Sequence, residues 1–388
     1  MSLRVFILAG EPSGDRLGGA LMAGLKQLAP GVRFDGIGGM LMAEQGLASR
    51  FPMDELSVMG LAEVLPKYRH LKRRIRETAD AVLETRPDVL ITIDSPDFSL
   101  RVARLVKEQS NIRTVHYVAP SVWAWRPKRA AKMAEVVDHV LALLPFEPPY
   151  MEAAGMACDF AGHPVVAEPQ ATREEIAAFR QEFGLGDAPF VLALPGSRRS
   201  EISRLAPAFG AALKQFLETH PGYQVVVPAA APVAGLVQET LQSWPEGTVL
   251  IDPNIIEPAI AKAHKRAAFA AADLALAASG TVSLELAAAA TPMVIAYKFQ
   301  WLTWQIMKRM ALIDTVTLVN LVSDTRVVPE CLGPECTPDN IAARLAAVSA
   351  DPGAQLGAMD VTMQRLGKGG EEPGLRAARA VLDRLPSR

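Results

Sequence analysis

The chain has 388 residues, 50% apolar and 21% charged, with 40 basic against 42 acidic residues and a net charge of −2. This composition excludes a disordered chain, and the charge balance argues against a nucleic-acid partner. Three scattered cysteines (Cys158, Cys331, Cys336), no apolar run long enough to span a bilayer and no signal-peptide pattern after Arg4 predict a protein of a reducing, cytoplasmic compartment.

The first element is an apolar strand over 3–9 that runs into Gly10-Glu11-Pro12-Ser13-Gly14-Asp15 and a helix over 17–28. Further strands are predicted over 33–37, 89–93, 113–118 and 139–143, with helices over 61–84, 98–109 and 127–136. This is the βαβ rhythm of a parallel sheet. Between 145 and 170 it breaks into Pro145, Pro148, Pro149, Gly155, Gly162, Pro164 and Pro169, which reads as a domain boundary. The rhythm then restarts. Strands are predicted over 190–194, 224–228, 248–251, 274–277 and 293–296, and helices over 201–219, 232–243, 259–271 and 281–290. Beyond Thr337 the chain is helical and Ala-rich, ending with 374–385. The expected fold is α/β, with two Rossmann-like domains, 1–165 and 166–388, facing a cleft. The last helix is a candidate to pack back on the first domain.

Several strand ends carry chemistry. After 89–93 come Asp94, Ser95, Pro96 and Asp97. Ser95-Pro96 reads as an N-cap with Pro at the first helical position, and Asp97 suits the helix dipole. Asp94 is left at the carboxyl end of a strand, where open α/β sheets bind ligands, and there it serves either as a general base or as a loop cap. The turn Gly196-Ser197-Arg198 suits a phosphate through its backbone N–H groups, with Arg198 as a clamp; the alternative is an ordinary turn with a solvated Arg. Ser279-Gly280-Thr281 is a similar junction. Glu285 follows one turn later, either as a ribose ligand or as a capping-type Glu.

Two segments pair apolar with basic residues. One runs from Val58 to Leu65 and on to Arg69, Lys72, Arg73, Arg74 and Arg76. The other holds Trp301, Trp304, Ile306, Met307 and Met310 with Lys308 and Arg309. They read as a membrane-facing patch or as solvated basic faces over buried core. The six histidines do not cluster, and no spacing suggests a metal site.

Taken together, AGEPSGD (9–15), SVMGLAEVLP (57–66), IDSPDF (93–98), HYVAPSVWAWRPKR (116–129), LPFE (144–147), GHP (162–164), LPGSR (194–198), ASGTVSLE (278–285) and the Asn320 segment resemble the lipid-A-disaccharide synthase family over nearly the whole chain. The string at 116–129 is the most specific. The resemblance implies a glycosyltransferase-B fold and an inverting, metal-independent hexosyl transfer with no cofactor. UDP-2,3-diacylglucosamine and 2,3-diacylglucosamine 1-phosphate would give the β-1,6-linked tetraacyl disaccharide 1-phosphate and UDP. It implies Asp94 as base and Arg198 as the essential arginine of LPGSR. Gly196, Ser197, Ser279, Gly280, Thr281, Glu285 and Asn320 fall on the donor side. Ser13, Gly14, Met59, Trp123 and Trp125 fall on the acceptor and lipid side. Peripheral contact with the cytoplasmic face of the inner membrane follows, with an oligomer left open. One departure is Val319 before Asn320, where the family usually has Pro. A UDP-sugar 2-epimerase and a non-catalytic nucleotide-sugar binder are the competing readings; the first would need acid/base groups around sugar C2, and the second would tolerate loss of Asp94.

Overall fold

The computed structural model describes residues 2–56 and 61–385, with the side chains of 61–67 and 301–302 outside the description. The chain divides into two units, Met1–Ala167 with Leu366–Arg388, and Glu168–Arg365. In the first unit the elements run β1 (Arg4–Ala9), α1 (Pro12–Leu28), β2 (Arg33–Ile37), α2 (Met40–Glu44), α3 (Leu61–Thr85), β3 (Val89–Ile93), α4 (Pro96–Lys107), β4 (Arg113–Tyr117), α5 (Lys128–Ala134), β5 (His139–Ala142), α6 (Pro148–Glu152) and β6 (Ala157–Phe160). The second unit holds α7 (Arg173–Glu182), β7 (Phe190–Leu194), α8 (Arg199–Thr219), β8 (Gln224–Pro228), α9 (Ala234–Leu241), β9 (Val249–Ile251), α10 (Pro258–Ala271), β10 (Leu274–Ala278), α11 (Val282–Ala288), β11 (Met293–Tyr297), α12 (Trp301–Met310), α13 (Leu318–Ser323), β12 (Glu330–Leu332), α14 (Pro338–Ala350) and α15 (Gly353–Arg365). The last helix, α16 (Pro373–Asp383), returns to the first unit.

Both sheets are parallel throughout, and central strands such as β1, β3, β7 and β10 are almost continuously apolar because helices cover both faces. Phe6, Ile7 and Leu8 of β1 and Val191 and Leu192 of β7 have no exposed surface. Strand order is β2-β1-β3-β4-β5-β6 in the first sheet and β12-β11-β10-β7-β8-β9 in the second. Each order reverses at one place, between β1 and β3 and between β7 and β10. Ligands of open α/β sheets bind at such switch points, beyond the carboxyl ends of the strands.

The domain boundary lies at Ala167/Glu168, and the proline-rich stretch before it contains α6 and β6. The second unit ends at Arg365, so the C-terminal residues join the first unit and not the 166–388 block. Close packing makes that return: a Cβ on Gly24 of α1 would lie 2.7 Å from the Gly374 carbonyl oxygen, and one on Gly374 would lie 2.6 Å from that of Ala20. Only glycines permit this approach of α1 and α16.

Two histidines of the first unit are buried at its sheet, His116 and His139, 2% and 0% exposed. Burial lowers both from 6.5 to about 4, outweighing the 2.8 Å pairing of His139 with Asp159. The unfolded chain therefore takes up these protons at higher pH than the folded one does. The stability they contribute is full above about pH 6.5 and is lost as pH falls toward about 4, at up to roughly 1.4 kcal/mol per pH unit for each histidine. Urea titrations near pH 7 and near pH 5 are expected to show a lower midpoint at the acid pH, and equal midpoints would contradict this assignment.

Candidate active site

The switch point of the first unit brings together the turns after β1 and β3. A Cβ on Gly10 would lie 2.7 Å from Ser95 Oγ, so the two turns touch and only glycine fits. Asp94 and Ser95 both take positive φ, 49° and 45°, and Val118 at the end of neighbouring β4 has φ 87°. Each such residue costs on the order of 1–3 kcal/mol, and strain of this kind collects at functional sites. The backbone of Asp94 is fixed: its N–H donates to the Tyr117 carbonyl at 3.0 Å, and Ser99 Oγ donates to its carbonyl at 2.8 Å. Its half-buried carboxylate has no hydrogen-bond or ion-pair partner among the described residues. Pro96 does open α4, but Ser95 does not cap it. The left-handed turn carries its hydroxyl toward Gly10, where it is buried without a partner.

Around this turn the acceptor-side residues separate. Ser13 is exposed. Gly14 is buried, with room for a Cβ only at 3.2 Å from Ala9 Cβ and 3.5 Å from the Ile93 carbonyl, so it serves helix–strand packing. The next residue, Asp15, accepts from the N–H groups of Gly39, Leu41 and Met42 and anchors the start of α2. Trp123 lies in the core at 9% exposure, edge-on to Phe146 at 5.1 Å, and donates its Nε1–H to Glu147 at 3.1 Å. Burial pushes Glu147 up to about 7, against the pull of the Trp123, Leu143 and Leu144 N–H donors. Trp125 is half-buried under the exposed Arg126 guanidinium, 4.2 Å from its ring. Met59 lies outside the described residues.

At the switch point of the second unit, the turns after β7 and β10 line a pocket of 640 Å³. It includes Gly196, Ser197, Arg198, Ser279, Gly280, Thr281 and Glu285, seven of the eight donor-side residues. The Arg198 side chain is 60% exposed. The turn already holds an anion of its own: Glu201 Oε2 accepts from the N–H groups of Ser197 at 3.0 Å and Arg198 at 3.3 Å, and Oε1 from Arg198 Nη1 at 3.3 Å. Gly196, with φ 121°, makes room for it; a Cβ there would sit 2.6 Å from the Glu201 carboxylate. Sequence reasoning missed Glu201, although Glu at the third helical position is a capping-box signal. It also missed Lys262 and Lys265 of α10 and the loops after β8 and β9, all of which line the pocket. The rule that ligands gather at strand carboxyl ends pointed to those loops.

Asn320 is the exception. It is 1% exposed, its amide donates to Thr315 Oγ1 and the Val328 carbonyl, and its Oδ1 accepts from the Val328 N–H. Its side-chain amide and Oδ1 hold the loop around α13, and it does not line the 640 Å³ pocket.

The basic and aromatic segments divide as well. Arg69, Lys72, Arg73 and Arg76 are exposed on α3. Arg74 instead forms a two-pronged pair with Glu55 at 2.7 and 2.9 Å, bonds Glu77 and lies over the Phe51 ring at 4.3 Å. It is tied down and presents no free charge. The Trp304 ring stacks on Phe299 at 5.5 Å and closely covers Gly333, whereas Ile306 (48%), Met310 (38%) and Leu312 (61%) are exposed beside Lys308 and Arg309. The Trp301 side chain lies outside the description. Among the described residues no helix is long and apolar enough to cross a membrane, and no three His, Cys, Asp or Glu side chains gather as metal ligands.

Similarity to known proteins points one way. A UDP-GlcNAc 2-epimerase from Neisseria meningitidis superposes with a TM-score of 0.62 at 11% identity, covering 99% of both chains. The kitacinnamycin glycotransferase superposes with a TM-score of 0.62 at 14% identity, covering 100% of both. At such identities these likenesses establish the fold, two Rossmann-like units of the glycosyltransferase-B type. The family model described as lipid-A-disaccharide synthetase matches residues 5–379. The lipid-A-disaccharide synthase of Ruegeria pomeroyi is 74% identical over 99% of this chain and 96% of its own, and that of Rhodospirillum centenum is 46% identical over 100% and 96%. With its motifs, its fold and its near full-length matches in agreement, this chain belongs to the lipid-A-disaccharide synthetase family of glycosyltransferases.

Proposed function

We propose that the chain joins UDP-2,3-diacylglucosamine to 2,3-diacylglucosamine 1-phosphate, with the second unit holding the donor and Asp94 of the first unit acting on the acceptor. The pocket at the β7/β10 switch point carries this reading, because it combines a phosphate-type turn, three cationic side chains and the carboxylates of Glu201 and Glu285 in one cavity.

In the proposed reaction the Asp94 carboxylate takes the proton of the acceptor 6-hydroxyl as that oxygen bonds to the donor anomeric carbon. The bond from that carbon to the diphosphate oxygen breaks with inversion, and UDP leaves with the electron pair. Arg198 and the N–H groups of Ser197 and Arg198 stabilise the charge that develops on the diphosphate. Lys262 adds positive charge to the same pocket, so chain residues fill the role a metal would have. The free, strained Asp94 fits a base better than a cap, since a capping carboxylate would be hydrogen-bonded.

Both substrates carry acyl chains, which favours work at the cytoplasmic face of the inner membrane. The exposed Lys72, Arg73 and Arg76 of α3 and the apolar edge at Ile306, Met310 and Leu312 suit an anionic lipid surface. Reversing the charges of Lys72, Arg73 and Arg76 together is expected to weaken association with anionic vesicles at low salt by roughly a hundredfold, from about 1 kcal/mol per basic residue. Unchanged association would leave α3 a plain solvated face.

The test of the reaction is a transfer assay with both acylated glucosamine substrates in detergent and EDTA. Disaccharide 1-phosphate and UDP are the expected products. A 2-epimerised UDP-sugar without disaccharide would overturn the proposal.

A further inference from the structure

Lys265 touches Glu285 directly. Its Nζ lies 2.5 Å from Glu285 Oε2, and its charge sits 5.3 Å from the centre of the Phe269 ring. All three residues line the 640 Å³ pocket. Glu285 lies on the β10 side of the pocket, off the Ser197–Arg198 turn, and a carboxylate is repelled by phosphates. Its chemistry suits hydroxyl donors, and two adjacent hydroxyls suit it best. On the proposed donor the glucosamine ring has acyl groups at positions 2 and 3, so it offers no adjacent pair of free hydroxyls there. The ribose does. A carboxylate discriminates in this way only if its direction is fixed, and the ion pair to Lys265 engages Oε2 and leaves Oε1 to a ligand.

We infer that Lys265 is a positioning residue: by fixing Glu285 it makes the pocket read the ribose diol of a nucleoside diphosphate, and so sets the preference for ribonucleotide over deoxyribonucleotide. This rests on the donor-site reading given under Proposed function. The Lys265 side chain is 53% exposed, so its replacement leaves the core of the second unit intact.

The experiment is calorimetric titration of the full chain, as wild type, Lys265→Met and Lys265→Arg, with UDP and with 2′-deoxy-UDP. Wild type is expected to prefer UDP by roughly tenfold or more, the scale of one hydrogen bond to a charged group. Lys265→Met is expected to shrink that ratio to about twofold, mainly by weakening UDP, and Lys265→Arg to retain most of it. An unchanged ratio in Lys265→Met overturns the inference. Equal loss of both nucleotides also overturns it, since Lys265 would then act on the diphosphate. Wild type that binds neither nucleotide would instead refute the donor-site reading itself.

Discussion

Asp94→Asn is expected to lower kcat by roughly 10²–10⁴-fold, the scale of a removed general base, while UDP affinity and thermal stability stay near wild type. Asn is the informative replacement because Asp94 sits at φ 49°. Asn tolerates the left-handed region and matches the shape of Asp, so the turn against Gly10 and Ser95 is preserved while the proton acceptor is lost. Asp94→Ala loses the same chemistry but adds backbone strain of about 1–2 kcal/mol, so a small fall in stability accompanies the fall in rate. Steady-state transfer rates, UDP titration and thermal unfolding of the two variants separate these effects. Near-full activity in Asp94→Asn would remove Asp94 from the mechanism and reopen the possibility that its strained turn serves only to seat β3 against β1.

Arg198→Ala is expected to weaken UDP binding by roughly 10- to 100-fold, as for a charge-assisted bond, and to slow turnover as well. Its side chain is 60% exposed and its Nη1 reaches Glu201 at 3.3 Å, so the fold does not depend on it. Arg198→Lys is expected to recover part of the binding and less of the rate, because an ammonium carries the charge but not the paired N–H geometry that a diphosphate takes. UDP titration and transfer kinetics are the measurements. Unchanged UDP affinity in Arg198→Ala would make the residue an ordinary surface arginine.

Strand positions were legible because parallel strands covered on both faces are short apolar runs, as in β1, β3, β7 and β10. The edge strands β6 and β12 were not. Ala157–Phe160 carries Asp159, and Glu330–Leu332 is three residues long, so neither shows an apolar period. The helix α2 was equally hidden, since it starts on the Asp15 carboxylate 24 to 27 residues away in sequence. The helix α7 also went unread, although Thr172 and Glu175 form a complete capping box, a local signal that marks its start. At the site, local turns announced Asp94, Gly196 and Ser279, and strand order explains why they matter. The partners of Asn320, Trp123 and Arg74 were not legible for one reason. Each has a partner 8 to 24 residues away (Val328, Glu147 and Glu55) that takes up its polar group, and no helix or strand period reveals such a partner.

The most direct measurement is a crystal structure of the chain with UDP. The account predicts the diphosphate within hydrogen-bond distance of the Arg198 guanidinium and the Ser197 N–H, with the Glu201 carboxylate moved off those donors and the ribose against Glu285. UDP bound elsewhere, with Glu201 still seated on the Ser197 and Arg198 N–H groups, would contradict it.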